Sequence, residues 1–257
     1  MYFPLSFYLI FHFTHRGHYT PTPYWKLLGA SLVDSHATIA IVYAFSKTTI
    51  TSVMIIEDFA IPSALVLSLV FLKIRYRVSH YVGITICLVG ISIGFLNDFL
   101  HLTNEKQTAS APIIGDFLAL IGAFCYALEN VIQEHLIKKP ADVFNFLGFI
   151  GVFGVMTTSV EAYIFGEFSA FQHVNPGVSN WSIAANYAGM AATNFVCYTI
   201  IPFYIARSGA TLLNLNNVTT IIWSMLSDIF LFGGQFYPLY LVAFFVELAG
   251  ILVFSLV

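Results

Sequence analysis

Charge is what this sequence has least of. Only 9% of its 257 residues are Asp, Glu, Lys or Arg, where soluble domains carry about 25%. A water-facing surface cannot be assembled from so few. No basic patch is interleaved with aromatics, which excludes nucleic acid as a partner. Cysteine is scarce as well: Cys87, Cys125 and Cys197 are odd in number and widely spaced. That pattern makes neither a disulfide framework nor a zinc site, so we read all three as small packing residues and expect no metal. H-E-x-x-H, G-x-S-x-G and P-loop motifs are all missing. No catalytic residue and no cofactor is therefore expected, and the chain reads as a non-enzyme.

What the sequence has is apolar length. It is 58% hydrophobic, with a mean hydropathy of +0.83. A bilayer crossing takes about 20 such residues. The pattern predicts an all-α, multi-pass integral membrane protein with the lipid bilayer as its solvent. Eight full transmembrane helices are expected, at about 24–46, 50–72, 79–97, 113–137, 143–165, 181–205, 210–232 and 236–257. Residues 1–13 are apolar but too short to span. They read as a partial helix whose start is missing, so the chain is expected to be truncated. The whole of 1–257 is one membrane domain, with a polar connector at Asn97 to Pro112 dividing it.

Lys and Arg placement sets orientation. If the helices alternate sides, one set of loops holds Arg16, Lys26, Lys73, Arg75, Arg77, Lys138, Lys139 and Arg207, while the other holds only Lys47 and Lys106. Eight against two places the first set, and the C-terminus, in the cytoplasm. Which membrane is not encoded in this pattern, nor is an oligomeric state.

A weak internal repeat follows. Shifting the chain by 160 residues lays Lys47 on Arg207, Thr51 on Thr211, Tyr76 on Phe236 and Gly90 on Gly250. The paired spans run in opposite directions, as in inverted-repeat transporters, whose sites lie near the midplane. Residues 1–97 then read as the remnant of a first repeat and 113–257 as the second.

Polar residues inside the spans are the site candidates, because intramembrane charge is costly and usually faces protein or water. The stretch from Lys47 to Arg77 carries Glu57 and Asp58, followed by Pro62. Pro62 deprives a carbonyl about one turn earlier of its donor, near Asp58. Glu57 is favoured over Asp58 because the repeat sets it opposite Asn217. Asp34 and His36 lie in the first full span and diverge on its surface; either could bind substrate or relay protons, or serve as a structural hydrogen-bonding group. Asn214 and Asn217 share a helix face, and their amides suit a sugar, base or carboxylate. The alternative for both is interhelical bonding. Glu129, Asn130, Gln133 and Glu134 precede Lys138 and Lys139. Glu134 pairs with Lys138 at i,i+4, so a solvated helix end is the plainer reading for it, while Glu129 lies deeper and is open to either reading. Gly90 and Gly94 form a G-x-x-x-G packing face.

The ordered blocks PYWKLLGASLVDSHA, TTITSVMIIEDFAIP, FLKIRYRVSHYVGI, GDFLALIGAFCYALENVIQEHLIK, FLGFIGVFG and SGATLLNLNN resemble solute carrier family 35, subfamily F, within the drug/metabolite transporter superfamily. The resemblance implies a bundle of two inverted five-helix repeats and solute transport. It also implies that the first helix and part of the second are absent here. Asp34, Glu57 and Asn214 fit the family pattern. His36 stands where the pattern has an acid, Asp58 departs from it, and Ile221 occupies a further acidic position. The leading reading is a secondary transporter of a small polar organic solute, working by alternating access. The alternative is a truncated, non-transporting membrane protein that acts as a partner or regulator.

Overall fold

The computed structural model describes residues 2–14, 22–48, 50–73, 76–105, 112–137, 139–164, 166, 180–217, 220–227, 229–230 and 238–255. Helices account for nearly all of them, and no strand occurs among the described residues. In chain order they are α1 (Tyr2–Leu5), α2 (Leu9–Thr14), α3 (Tyr24–Phe45), α4 (Ile50–Glu57), α5 (Ala60–Leu67), α6 (Val78–Glu105), α7 (Pro112–Leu136) and α8 (Pro140–Ile164). There follow α9 (Asn180–Ser208), α10 (Ala210–Asn217), α11 (Thr220–Ser227) and α12 (Pro238–Ser255). Arg16, Arg75, Lys106 and Lys138 of the charge count lie outside the described residues, as does most of the loop after Gly166.

Five of the described spans are long and apolar enough to cross a membrane: Tyr24–Phe45, Ser52–Leu72, Ile113–Leu136, Asp142–Ile164 and Trp181–Ser208. The remaining three expected spans take other forms. Val78–Ile93 and Leu241–Phe254 are shorter apolar helices. The span expected at 210–232 is divided between α10 and α11, with 218–219 outside the described residues.

Local chemistry explains the helix ends. Pro112, Pro140 and Pro238 each occupy the first position of a helix, where the missing N–H has no intrahelical partner to lose. The Lys139 N–H donates to Asp142 Oδ2 at 2.8 Å, one half of a capping box. At Pro62 the ladder breaks as the sequence predicts. The Asp58 carbonyl instead accepts from the Ile61 N–H at 2.9 Å, while the Asp58 and Phe59 N–H groups reach back only three residues, to Ile55 and Ile56. That tight turn separates α4 from α5. Beyond α5 the chain loosens into a π-helical turn, Ser68–Leu72, and stops at Lys73 in the left-handed region with φ 55°.

The chain folds as two compact units. One comprises Met1–Ser35 and Ile132–Ser208, the other His36–Val131 and Gly209–Val257. Their boundary falls within α3 and α7 and again at Gly209, whose φ of 80° is open to glycine without a Cβ penalty.

In the first unit, α1 and α2 lie along α8. Tyr2 and Leu5 join Leu27, Ala30, Val143, Phe146, Leu147 and Ile150 in its core. α9 is largely exposed, with Trp181, Tyr187, Met190, Val196 and Ile200 outward. Two of its polar side chains bond its own backbone: Thr193 donates to Gly189 O at 3.0 Å and Asn194 to Met190 O at 2.9 Å. Such back-bonding leaves no polar demand on the surroundings, which suits a lipid-facing helix.

In the second unit, α6 and α12 run antiparallel in close contact. Gly83 faces Gly250 and Phe254, whereas Gly90 faces Ala243 and Glu247. Lipid tails are as apolar as leucine, so membrane helices associate through close packing of small residues rather than through hydrophobic exclusion. A Cβ at Gly83 would sit 2.7 Å from Gly250 O and 2.9 Å from Phe254 N. Both are backbone atoms and cannot swing aside. Gly83→Ala should therefore destabilise the fold by about 1–3 kcal/mol, the usual cost of overpacking. Thermal unfolding in detergent checks this, with Gly29→Ala, which meets nothing within 4 Å, as the reference. Equal losses in both variants would contradict it.

Candidate functional site

Each unit contains one polar constellation. In the first, Asp34 is almost completely buried on α3, with 1% of its surface exposed. Tyr2 donates to its Oδ2 at 2.7 Å and Tyr198 to its Oδ1 at 2.9 Å. The two tyrosine rings meet edge to face, 6.3 Å between centroids. Nearby, Tyr8 stacks on Phe195 and its hydroxyl lies 3.3 Å from Thr199 Oγ1. Ser35 Oγ contacts Thr157 Oγ1 at 2.8 Å. Asp34 thus joins α1, α3 and α9 through two hydroxyl donors, an arrangement that holds a carboxylate without a cation.

The second unit holds the acidic break. Glu57, the last residue of α4, is half-buried, whereas Asp58 is 4% exposed. A third carboxylate joins them that sequence reasoning overlooked. Glu247, in the middle of α12, is 1% exposed, and Asp58 lies within electrostatic reach of both Glu247 and Glu57. Neither oxygen of Glu247, nor Asp58 Oδ2, has a hydrogen-bond partner among the described residues. The Glu247 side chain crosses α6 at Gly90, and its backbone carbonyl accepts from Cys87 Sγ at 3.5 Å. The signal for Glu247 was present in the sequence: one carboxylate in the otherwise apolar run PLYLVAFFVELAGILVFS. An isolated charge in such a helix is by default a functional candidate.

Asparagines complete this unit. Asn214 on α10 is 2% exposed. Its Nδ2 donates to Ala210 O at 2.9 Å, and its Oδ1 accepts from Asn130 Nδ2 on α7 at 3.4 Å. Asn216 and Asn217 are exposed at the end of the same helix. Thr211, one turn earlier, sits 2.8 Å from the Tyr76 hydroxyl and 3.4 Å from Ser68 Oγ. His36 is exposed on α3. Glu129 and Asn130 are buried on α7. Of the G-x-x-x-G pair, Gly90 does lie in the seam with α12, while the surroundings of Gly94 are outside the description. Cys87 packs in that seam too; Cys125 is half-buried and Cys197 exposed.

Apolar helices with buried carboxylates and amides mark a membrane protein with polar groups held inside it, and the comparisons with known proteins give its family. A profile of solute carrier family 35 matches residues 18–256. The chain belongs to solute carrier family 35. It is 32% identical over 231 residues to solute carrier family 35 member F2 of Mus musculus, covering 90% of this chain and 60% of that protein. Member F2 of Xenopus tropicalis is likewise 32% identical, over 89% of this chain and 58% of the relative. An uncharacterized family 35 member of Schizosaccharomyces pombe is 25% identical over 90% of this chain and 44% of its own length. The chain therefore spans about 60% of the length of the F2 relatives it matches. As a family 35 protein with several apolar helices, it is an integral, multi-pass membrane protein. The family points to transport rather than catalysis.

Proposed function

We propose that this chain is a secondary transporter of the drug/metabolite superfamily, moving a small polar organic solute by alternating access. The observation that carries this reading is the set of buried polar groups at the α4–α5 break. Glu57, half-buried beside a carbonyl ladder broken by Pro62, can meet solute or a proton without a large rearrangement. Asn217, exposed at the end of α10, offers its amide to the solute, and Asn214 takes part by exchanging its bond to Asn130. Asp34, on which the Tyr2 and Tyr198 hydroxyls converge as donors, serves substrate binding or takes up a proton itself, and His36 serves binding or relay.

The inverted repeat belongs to the same proposal. In the 160-residue register α4 corresponds to α10, α5 to α11 and α6 to α12. α4 packs against α11, α5 against α10 and α6 against α12. A two-fold relation between the halves of this unit would produce such reciprocal pairs. The antiparallel α6–α12 contact is centred on Cys87 and Glu247, which are themselves 160 residues apart. The eight-against-two distribution of Lys and Arg supports a cytoplasmic C-terminus.

The test is uptake into proteoliposomes containing the chain. A panel of radiolabelled sugars, nucleobases and carboxylic acids is offered from either side. At least one should accumulate saturably, above vesicles without protein. A folded chain that moves none of them would favour the partner or regulator reading instead.

A further inference from the structure

Asp58 and Glu247 lie far apart in the chain and belong to different helices, yet the fold brings them within electrostatic reach of each other inside one unit. Both are more than nine-tenths buried. Both oxygens of Glu247 and Oδ2 of Asp58 lack any hydrogen-bond donor among the described residues. Most buried carboxylates are satisfied, as Asp34 is here by two tyrosines. Two buried carboxylates within electrostatic reach, each with an oxygen that has no donor among the described residues, can be relieved by one proton. Carboxyl groups that crowd one another share a proton because both cannot carry charge.

Among the described residues the charged neighbours of Asp58 are the carboxylates Glu247 and Glu57, with no cation beside them. Next to the pair on α4 is Glu57, and from α6 comes the thiol of Cys87. α5, α10 and α11 bring no titratable side chain. α7, which packs on α4 and α5, carries Cys125, Glu129 and Asp116; the last accepts from Ser52 Oγ at 3.0 Å. His80 stands beside Phe254 and Tyr76, two helical turns from Glu247 along α12. Gly90 makes space for the Glu247 side chain, since a Cβ there would collide with its Cγ.

We propose that Asp58 and Glu247 form a single proton-binding site within the second unit. One proton from bulk water bonds to a carboxylate oxygen of the pair, lowering the charge of the pair from two negative to one. Its release to water restores both carboxylates. Use of that proton to drive solute rests on the transport reading above; the binding itself does not.

Infrared difference spectroscopy of the purified chain in lipid vesicles, titrated from acid to alkaline, separates the two. The wild-type protein should show a carboxylic-acid carbonyl band that disappears with rising pH and shifts on deuteration. Asp58→Asn with Glu247→Gln should remove that band entirely, and each single variant should displace its midpoint. Glu57→Gln should leave the band in place. Absence of a titrating carboxylic-acid band in the wild type, or its full survival in the double variant, would overturn the site. The first result needs no variant to fold. Solute uptake is then measured with and without an imposed pH gradient. A band without any uptake would refute the transporter and keep the proton site. Uptake without a band would do the reverse.

Discussion

Replacing Glu57 by Gln should leave the protein folded and abolish uptake. Gln keeps the size and most hydrogen-bonding capacity of Glu but cannot ionise. Glu57 is half-buried at the end of α4, so the substitution removes an intramembrane ionisable group rather than a packing contact. Such groups are retained in membranes for function, and the expected loss is about tenfold or more in initial rate, or about 1.4 kcal/mol in barrier terms. Thermal unfolding of the variant should match the wild type within about 0.5 kcal/mol, as for substitutions away from a packed feature. Glu57→Asp, which retains the ionisable group on a shorter stem, should recover part of the rate. Full activity in the Gln variant would show that Glu57 is only a hydrogen-bonding group.

Asp34→Ala should have the larger effect on stability. The substitution leaves the Tyr2 and Tyr198 hydroxyls, 2.7 and 2.9 Å from their acceptors, without the carboxylate they were built around. A buried donor that loses its acceptor costs about 1–3 kcal/mol, and a part-buried one less, so a loss of about 2–4 kcal/mol is expected. That is a large share of a typical stability of about 5–15 kcal/mol. Tyr2→Phe alone removes one donor and leaves the other in place, and should cost about 1–2 kcal/mol. The cycle of Asp34→Ala, Tyr2→Phe and the double variant should show a coupling of about 0.5–3 kcal/mol, as residues sharing one network do. Additive losses would mean that Tyr2 and Asp34 act independently. Unfolding of Asp34→Ala at the wild-type temperature would remove the network from any account of the fold.

Asp34 and Asp58 illustrate what composition can and cannot reveal. Both are carboxylates in apolar helices, and the sequence marks both as costly. It also predicts the break near Asp58, because Pro62 has no N–H to give, a local covalent fact that no packing can alter. The helices themselves follow from the same kind of reasoning. In hydrocarbon every backbone group must be bonded within its own segment, so long apolar runs of this chain have no other form available. The family was legible too, from the ordered blocks between Pro23 and the C-terminus.

Partners were not legible. Nothing local distinguishes Asp34, held by two tyrosines from α1 and α9, from Asp58, which lies within electrostatic reach of Glu247. Asn214 and Asn217 share a helical face in the sequence, yet α10 ends between its packed and exposed turns, so one amide is buried against Asn130 and the other is exposed. Helical periodicity determines which residues lie on one face of a helix. Which distant segment covers that face, and how far along it, depends on packing between helices that follows the close approach of small residues such as Gly83, Gly90 and Gly250. The sequence alone therefore determined the membrane-embedded helices, their break at Pro62 and the family; the tertiary structure alone decided that Asp34 has two donors while Asp58 and Glu247 are buried with oxygens that have none among the described residues.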